Sequence, residues 1–249
     1  MLRTVLTSTT RKCLRPTTSQ YPVRTLRSRM EPKPLDWKAG PLVWIDCEMT
    51  GLDPRTDQIL EIAACCNQSC VQYTPLTHVV WQVLITNGEL QIVDEGISYI
   101  IQTEKEVLDR MGDWCRNTHG ASGLTQACIE SPHTKDFVQQ EVLKYIKKWI
   151  PHEWTGVLAG NSVHMDRAFM VGEMPDVINW LHYRIVDVSS IKELARRWYR
   201  TTSPPSTPVE PAHRALDDIK GSIRELQWYR QNLFMPPNLA PTVQIGRRY

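Results

Sequence analysis

At 249 residues and 41% apolar composition, the chain can form one sizeable α/β domain with tails, or at most two small domains. No apolar run approaches the ~18 residues that a membrane-spanning helix needs, so no membrane partner is expected. The formal charge of +2 hides a division along the chain. Residues 1–30 carry seven basic residues (Arg3, Arg11, Lys12, Arg15, Arg24, Arg27, Arg29), ten Ser or Thr and no acid. That composition, without a continuous apolar core, predicts a mitochondrial transit peptide rather than a secretory signal; the competing reading is a basic arm that touches nucleic acid. The remainder holds 22 basic and 27 acidic residues, a net charge of −5, which argues against a protein that coats long nucleic acid by charge alone. Seven scattered cysteines (13, 47, 65, 66, 70, 115 and 128), odd in number and without paired CxxC motifs, predict free thiols; Cys66 and Cys70 alone are a weak zinc signal.

Residues 31–40 read as a linker. Leu42 to Glu48 is a β-prone run ending in carboxylates, and Thr50-Gly51-Leu52-Asp53-Pro54 is a turn. Ile59–Ala64 and Val83–Thr86 read as strands, with Asn87-Gly88 as a hairpin turn between apolar runs. Positions 138, 142, 145, 146 and 149 have helical spacing, and Pro151 closes that run. A strand at 155–159, a helix at 162–170, a strand at 184–188 and a helix at 191–199 follow. Four prolines in 201–211 make a loop, and Leu216, Ile219, Ile223 and Leu226 mark a last amphipathic helix. This order predicts an α/β (α+β) domain at 41–231, with a central mixed sheet flanked by helices and an irregular tail over 232–249.

The chemistry-bearing residues fall in three places. Asp46 and Glu48 are two apart in an extended run, so their side chains leave one face together. Two carboxylates beside a buried run repel each other, and a divalent cation relieves that repulsion. The plainer alternative is that Asp46 begins a turn and Glu48 is solvated. Asp166 follows a strand and the Gly160-Asn161 turn, four residues after Ser162. His213 and Asp218 are five apart in AHRALDDI, a spacing that diverges by about 140° within one helix. If both serve one site, His213 sits before the helix or at its start and Asp218 one turn in. Taken singly, Asp166 reads as an exposed helix acid and His213 as a surface residue.

Together, WIDCEMTGLDP, AGNSVHMDRAFM and HRALDDI, in that order, closely resemble the oligoribonuclease family, a branch of the DEDDh 3′-to-5′ exonucleases with an RNase H-like fold. MGDWCRNTHGASGL (111–124) and HYRIVDVSSIKELARRW (182–198) extend the resemblance over about 41–231. It implies hydrolysis of short single-stranded RNA to mononucleotides, with Asp46, Glu48, Asp166 and Asp218 holding two Mg²⁺ or Mn²⁺ ions and His213 acting as general base. It implies that Leu52 and Trp114 contact terminal bases and that Ser162 and Ser189 contact phosphate. His182, Tyr183 and Arg184 would reach the partner subunit's site in a homodimer with shared active sites. Location would be the mitochondrial matrix, with a cytosolic form left open. The plainer readings are core packing for Trp114, a turn residue for Leu52 and a helix cap for Ser189. Two other functions compete: a DEDDh exonuclease acting on DNA ends or longer RNA, and a non-catalytic binding protein on the same fold.

One departure stands out. Residues 65–82 (CCNQSCVQYTPLTHVVWQ) interrupt what the family carries as one continuous hairpin, either as a surface-loop insertion or as a translated intron.

Overall fold

The computed structural model describes residues 33–62, 83–199, 215–236 and 238–239, without the side chains of 215–218. The basic stretch 1–30 expected to be a transit peptide, the 65–82 interruption, His213 and the expected proline-rich loop at 201–211 lie outside the described residues. Every described residue belongs to one compact unit, Pro32–Tyr249. Its elements run β1 (Leu42–Trp44), β2 (Cys47–Met49), β3 (Ile59–Ile62), β4 (Leu84–Thr86), β5 (Tyr99–Ile100), α1 (Lys105–Leu108), α2 (Asp113–Ser122), α3 (Leu124–Glu130) and α4 (Lys135–Trp149). After them come β6 (Val157–Gly160), α5 (His164–Glu173), α6 (Pro175–Trp180), β7 (His182–Asp187), α7 (Val188–Trp198) and α8 (Ala215–Asn232).

Among the described residues one sheet has the order β4-β1-β6-β7 and a second has the order β2-β3-β5. β1, β6 and β7 are mutually parallel, and β4 closes the edge antiparallel to β1. The second sheet is antiparallel throughout. Mixed pairing with helices on the sheet is the expected α/β architecture. The β-prone run at 42–48 differs in one respect: it breaks at Ile45–Asp46 and passes from one sheet to the other. Side-chain alternation survives the break. Val43, Ile45 and Cys47 all enter one core cluster, while Asp46 and Glu48 stay out of it, half-buried.

The periodic helices pack as their patterns require. Val138, Val142, Tyr145, Ile146 and Trp149 on α4 are all buried in the main core, each stabilising by roughly 1.5–3 kcal/mol relative to an exposed position. Thr134 caps α4 by accepting from the Phe137 N–H. Ile219 and Ile223 of α8 fill the second cluster with Trp44, Val188 and Ala195. At Asn87-Gly88 the chain turns less tightly than a two-residue hairpin: the Asn87 carboxamide oxygen accepts from the Glu89 and Gln91 N–H groups, and Leu90 takes φ 63°. The approach at 33–40 is fastened to the domain. The Leu35 N–H donates to the Trp149 carbonyl (2.7 Å), and Asp36 caps a 3-10 turn at Trp37–Ala39.

Candidate active site

The carboxyl ends of the three parallel strands β1, β6 and β7 meet, which is where open α/β sheets bind ligands. Each strand delivers polar side chains just past its end: Asp46 after β1, Ser162 and Asp166 after β6, and Ser189 after β7. Close packing at this end depends on Gly160, where a Cβ would lie 2.8 Å from the Ile45 carbonyl oxygen. Only a glycine lets β6 come this near the chain that leads into Asp46.

Asp166, in the first turn of α5, is 5% exposed, not the solvated helix acid it resembles when read alone. Its Oδ1 accepts from the Cys47 N–H at 2.8 Å, which binds α5 to the start of β2. Burial pushes its carboxyl up to about 6, against the lowering effect of the Cys47 N–H, and the nearby Asp187 charge raises it further. The Cys47 thiol is pushed well up by burial and then by the charges of Asp166, Asp46 and Glu48. Cys47 is thereby an inert thiol.

The donor set is all oxygen, which suits a hard divalent cation such as Mg²⁺ or Mn²⁺. Among the described residues no three His, Cys, Asp or Glu side chains are already gathered to hold a metal ion. α8 begins at Ala215, so Asp218 falls in its first turn, with its side chain outside the described residues.

Ser162 and Ser189 meet directly, with hydroxyls 3.1 Å apart. Ser162 takes φ 53°, and its N–H donates to Asp187 Oδ1 (3.0 Å) and Ser189 Oγ (2.9 Å). Ser189 is not the helix cap. Asp187 caps α7, accepting from the Ser189 N–H at 2.9 Å. The sequence reading missed Asp187, although an Asp two residues before Ser189 at a helix start is an N-cap signature.

Leu52 and Trp114 are 78% and 72% exposed, so neither is a core residue. The Leu52 turn is held by Asp57, which accepts from the Thr50 hydroxyl (2.9 Å) and the Asp53 N–H (3.0 Å). Trp114 lies on α2, a helix absent from the sequence reading. Its neighbour Cys115 is raised first by burial, then by the charges of Asp57 and Glu48, so α2 lies near both the Leu52 turn and the carboxylates. His119, also missed, is the buried tie. Its Nε2 is 3.1 Å from the Met49 carbonyl oxygen and 3.9 Å from Glu48 Oε2. Burial holds His119 below the ordinary histidine value, which favours the neutral ring.

His182, Tyr183 and Arg184 lie away from this assembly, at the amino end of β7. His182 pairs with Val157, whereas Asp187 pairs with Gly160. β7 bulges between these pairings, so three residues of β6, about 10 Å at ~3.3 Å per residue, separate the two ends. Tyr183 is exposed, stacked on His182, with the Arg184 guanidinium 5.2 Å from its ring. The neighbouring apolar residues belong to the core: Leu181 is buried there, and Trp180 packs against it with Nε1 donating to the Ile150 carbonyl.

Residues 43–68 and 82–226 match the exonuclease family, so fold and site together define an exonuclease domain. The chain is 44% identical to the mitochondrial oligoribonuclease of Saccharomyces cerevisiae over 93% of its own length and 80% of that protein's. It is also 44% identical to the mitochondrial oligoribonuclease of Homo sapiens, covering 78% of this chain and 73% of that one. With the oligoribonuclease of Hydrogenovibrio crunogenus it shares 44% identity over 78% of this chain and 95% of the relative. The chain belongs to the oligoribonuclease family. In fold it is similar to exonuclease I of Methylocaldum szegediense, with a TM-score of 0.54 at 15% identity over 78% of this chain. It spans only 41% of that larger protein. Membership makes it a nuclease that depends on divalent metal. No helix among the described residues is long and apolar enough to cross a membrane.

Proposed function

We propose that this protein is a 3′-to-5′ exoribonuclease that degrades short single-stranded oligoribonucleotides to mononucleotides. The observation that carries the reading is that Asp46, Asp166 and the Ser162–Ser189 pair all follow the carboxyl ends of the parallel strands β1, β6 and β7, with Asp166 bound to the Cys47 N–H between Asp46 and Glu48. Asp46, Glu48, Asp166 and Asp218 would hold two divalent cations, Mg²⁺ or Mn²⁺, and their four formal charges balance such a pair. Bound there, the cations supply charge neutralisation at the phosphoryl group and a more acidic water. His213 takes the proton of the attacking water, a role suited to an imidazole, which titrates near neutrality as a class. Ser162 and Ser189 turn their hydroxyls to a phosphate oxygen. Leu52 and Trp114 pack on bases without reading identity, because every base offers a π-face. Their exposure beside the carboxylates supports this reading.

Tyr183 and Arg184 are exposed at the end of β7 opposite the serines, which supports a homodimer in which each chain completes the other's site. Residues 1–30 act as a transit peptide to the mitochondrial matrix, with a cytosolic form beside it, and 31–40 lead into a catalytic domain at 41–231. The 65–82 stretch is an insertion, in line with a family match that omits 69–81, and 232–249 is a C-terminal tail.

The test is a length series of labelled RNAs of two to seven nucleotides and matched DNAs, with Mn²⁺, Mg²⁺ or EDTA. Release of mononucleotides from the 3′ end of the shortest RNAs, abolished by EDTA, is expected. Activity confined to DNA or to long RNA would overturn the reading.

A further inference from the structure

Asp187 has no part in the set of ligands and serines above, yet it holds that set together. Its side chain is 8% exposed. Oδ1 accepts from two backbone donors at once, the Ser162 N–H at 3.0 Å and the Ser189 N–H at 2.9 Å. Oδ2 is 3.1 Å from His164 Nδ1. The three partners come from the turn after β6, the first turn of α5 and the first turn of α7. One carboxylate therefore fixes the relative position of two elements that contribute one serine each.

The backbone at Ser162 makes this consequential. A φ of 53° is unfavourable for a residue with a Cβ and persists where the surroundings over-determine it. In that conformation the Ser162 N–H points to Asp187 and Ser189, and its hydroxyl comes to 3.1 Å from the Ser189 hydroxyl. The arrangement continues to α8. Ser189 Oγ donates to Asn161 Oδ1 (3.3 Å), and Asn161 Nδ2 donates to Ser222 Oγ (2.6 Å). Ser222 lies four residues beyond Asp218, on the same face of that helix.

We propose that Asp187 is a positioning residue for the substrate phosphate: it fixes the Ser162–Ser189 hydroxyl pair, and Asn161 and Ser222 register that pair against the helix carrying Asp218. The inference rests on the serines binding phosphate, as in the function proposed above. It assigns Asp187 a geometric role, so its negative charge is dispensable. An asparagine can keep both N–H bonds through Oδ1 and place Nδ2 beside His164 Nδ1. A serine at 187 still caps α7 but falls short of the Ser162 N–H.

The experiment is steady-state kinetics of the full chain and its Asp187→Ser and Asp187→Asn variants on a labelled RNA trinucleotide with Mn²⁺, with thermal melts alongside. Asp187→Ser is expected to raise KM roughly tenfold or more with kcat within about threefold, the loss of a well-placed hydrogen-bonding pair. Asp187→Asn is expected to restore a KM close to that of the unaltered protein. A merely structural role would instead lower kcat through a smaller active fraction at unchanged KM. That pattern overturns the proposal, as does an Asp187→Asn variant as impaired as Asp187→Ser, which would mean the charge is what matters. A KM for Asp187→Ser within twofold of the unaltered protein also overturns it. If the unaltered protein fails to hydrolyse the RNA, the functional reading fails instead, which separates the two.

Discussion

The two ends of strand β7 carry opposite kinds of chemistry. At its carboxyl end Asp187 is nearly buried and the N–H groups and hydroxyls of Ser162 and Ser189 all have protein partners, with the Asp166 carboxylate bound to the Cys47 N–H. At its amino end Tyr183 and Arg184 are exposed and stacked on each other, with His182 beneath. The contrast reflects what each end has to hold. Carboxylates close enough to share cations repel unless fixed by hydrogen bonds and packing, so the carboxyl end needs a rigid frame. An exposed aromatic and a guanidinium suit contact with something outside this chain.

Substitutions at the carboxyl end should have the largest effect. Asp46→Ala or Asp218→Asn is expected to reduce cleavage to background while leaving the melting temperature equal or slightly higher, since one of several mutually repelling carboxylates is gone. Turnover like that of the unaltered protein at saturating Mg²⁺ would remove either residue from the centre. His213→Ala should slow the chemical step by about 10²–10⁴-fold and leave metal binding in place. Calorimetric metal titration beside single-turnover rates checks both halves, and an unchanged rate would make His213 a surface residue.

Much of the carboxyl end was legible in the sequence because its residues lie within short, ordered motifs. The helices α4, α7 and α8 were legible because their apolar residues recur at helical spacing. What escaped has physical reasons. α2 buries only His119 and presents Trp114 to solvent, so it has no apolar stripe to read. The strand break at Ile45–Asp46 leaves alternation intact and so leaves no trace in the pattern. Asp57 and His119 act through backbone N–H and carbonyl groups, and no residue spacing announces that, whereas Asp187 carried an N-cap signature masked by the strand-like run before it. At the amino end of β7 no pattern separates Tyr183, which is exposed, from its apolar neighbours Leu181, which is buried in the core, and Trp180, which packs against it.

A smaller effect follows from the burial of Asp166. Its carboxyl is raised from 3.8 to about 6, so in EDTA the folded protein binds a proton there that the unfolded chain has released. Stability is therefore fullest below pH 4 as far as this group is concerned, and falls as pH rises from about 4 to 6. The loss is at most about 3 kcal/mol at ~1.36 kcal/mol per pKa unit. Urea denaturation across that range should show this slope, and Asp166→Asn should flatten it. A slope unchanged by the substitution would place its origin elsewhere.

The central claim is that the carboxyl end performs the chemistry while the amino end of β7 serves the site of a second copy. Co-expression tests it most directly. A chain inactivated by Asp46→Ala and a chain inactivated by Arg184→Ala are purified as a verified heterodimer and assayed on short RNA. The heterodimer should regain activity, up to about half that of the unaltered protein, because one of its two sites keeps both Asp46 and the partner's Arg184. No recovery in a confirmed heterodimer would contradict the shared-site account, as would a monomer mass in sedimentation at the assay concentration.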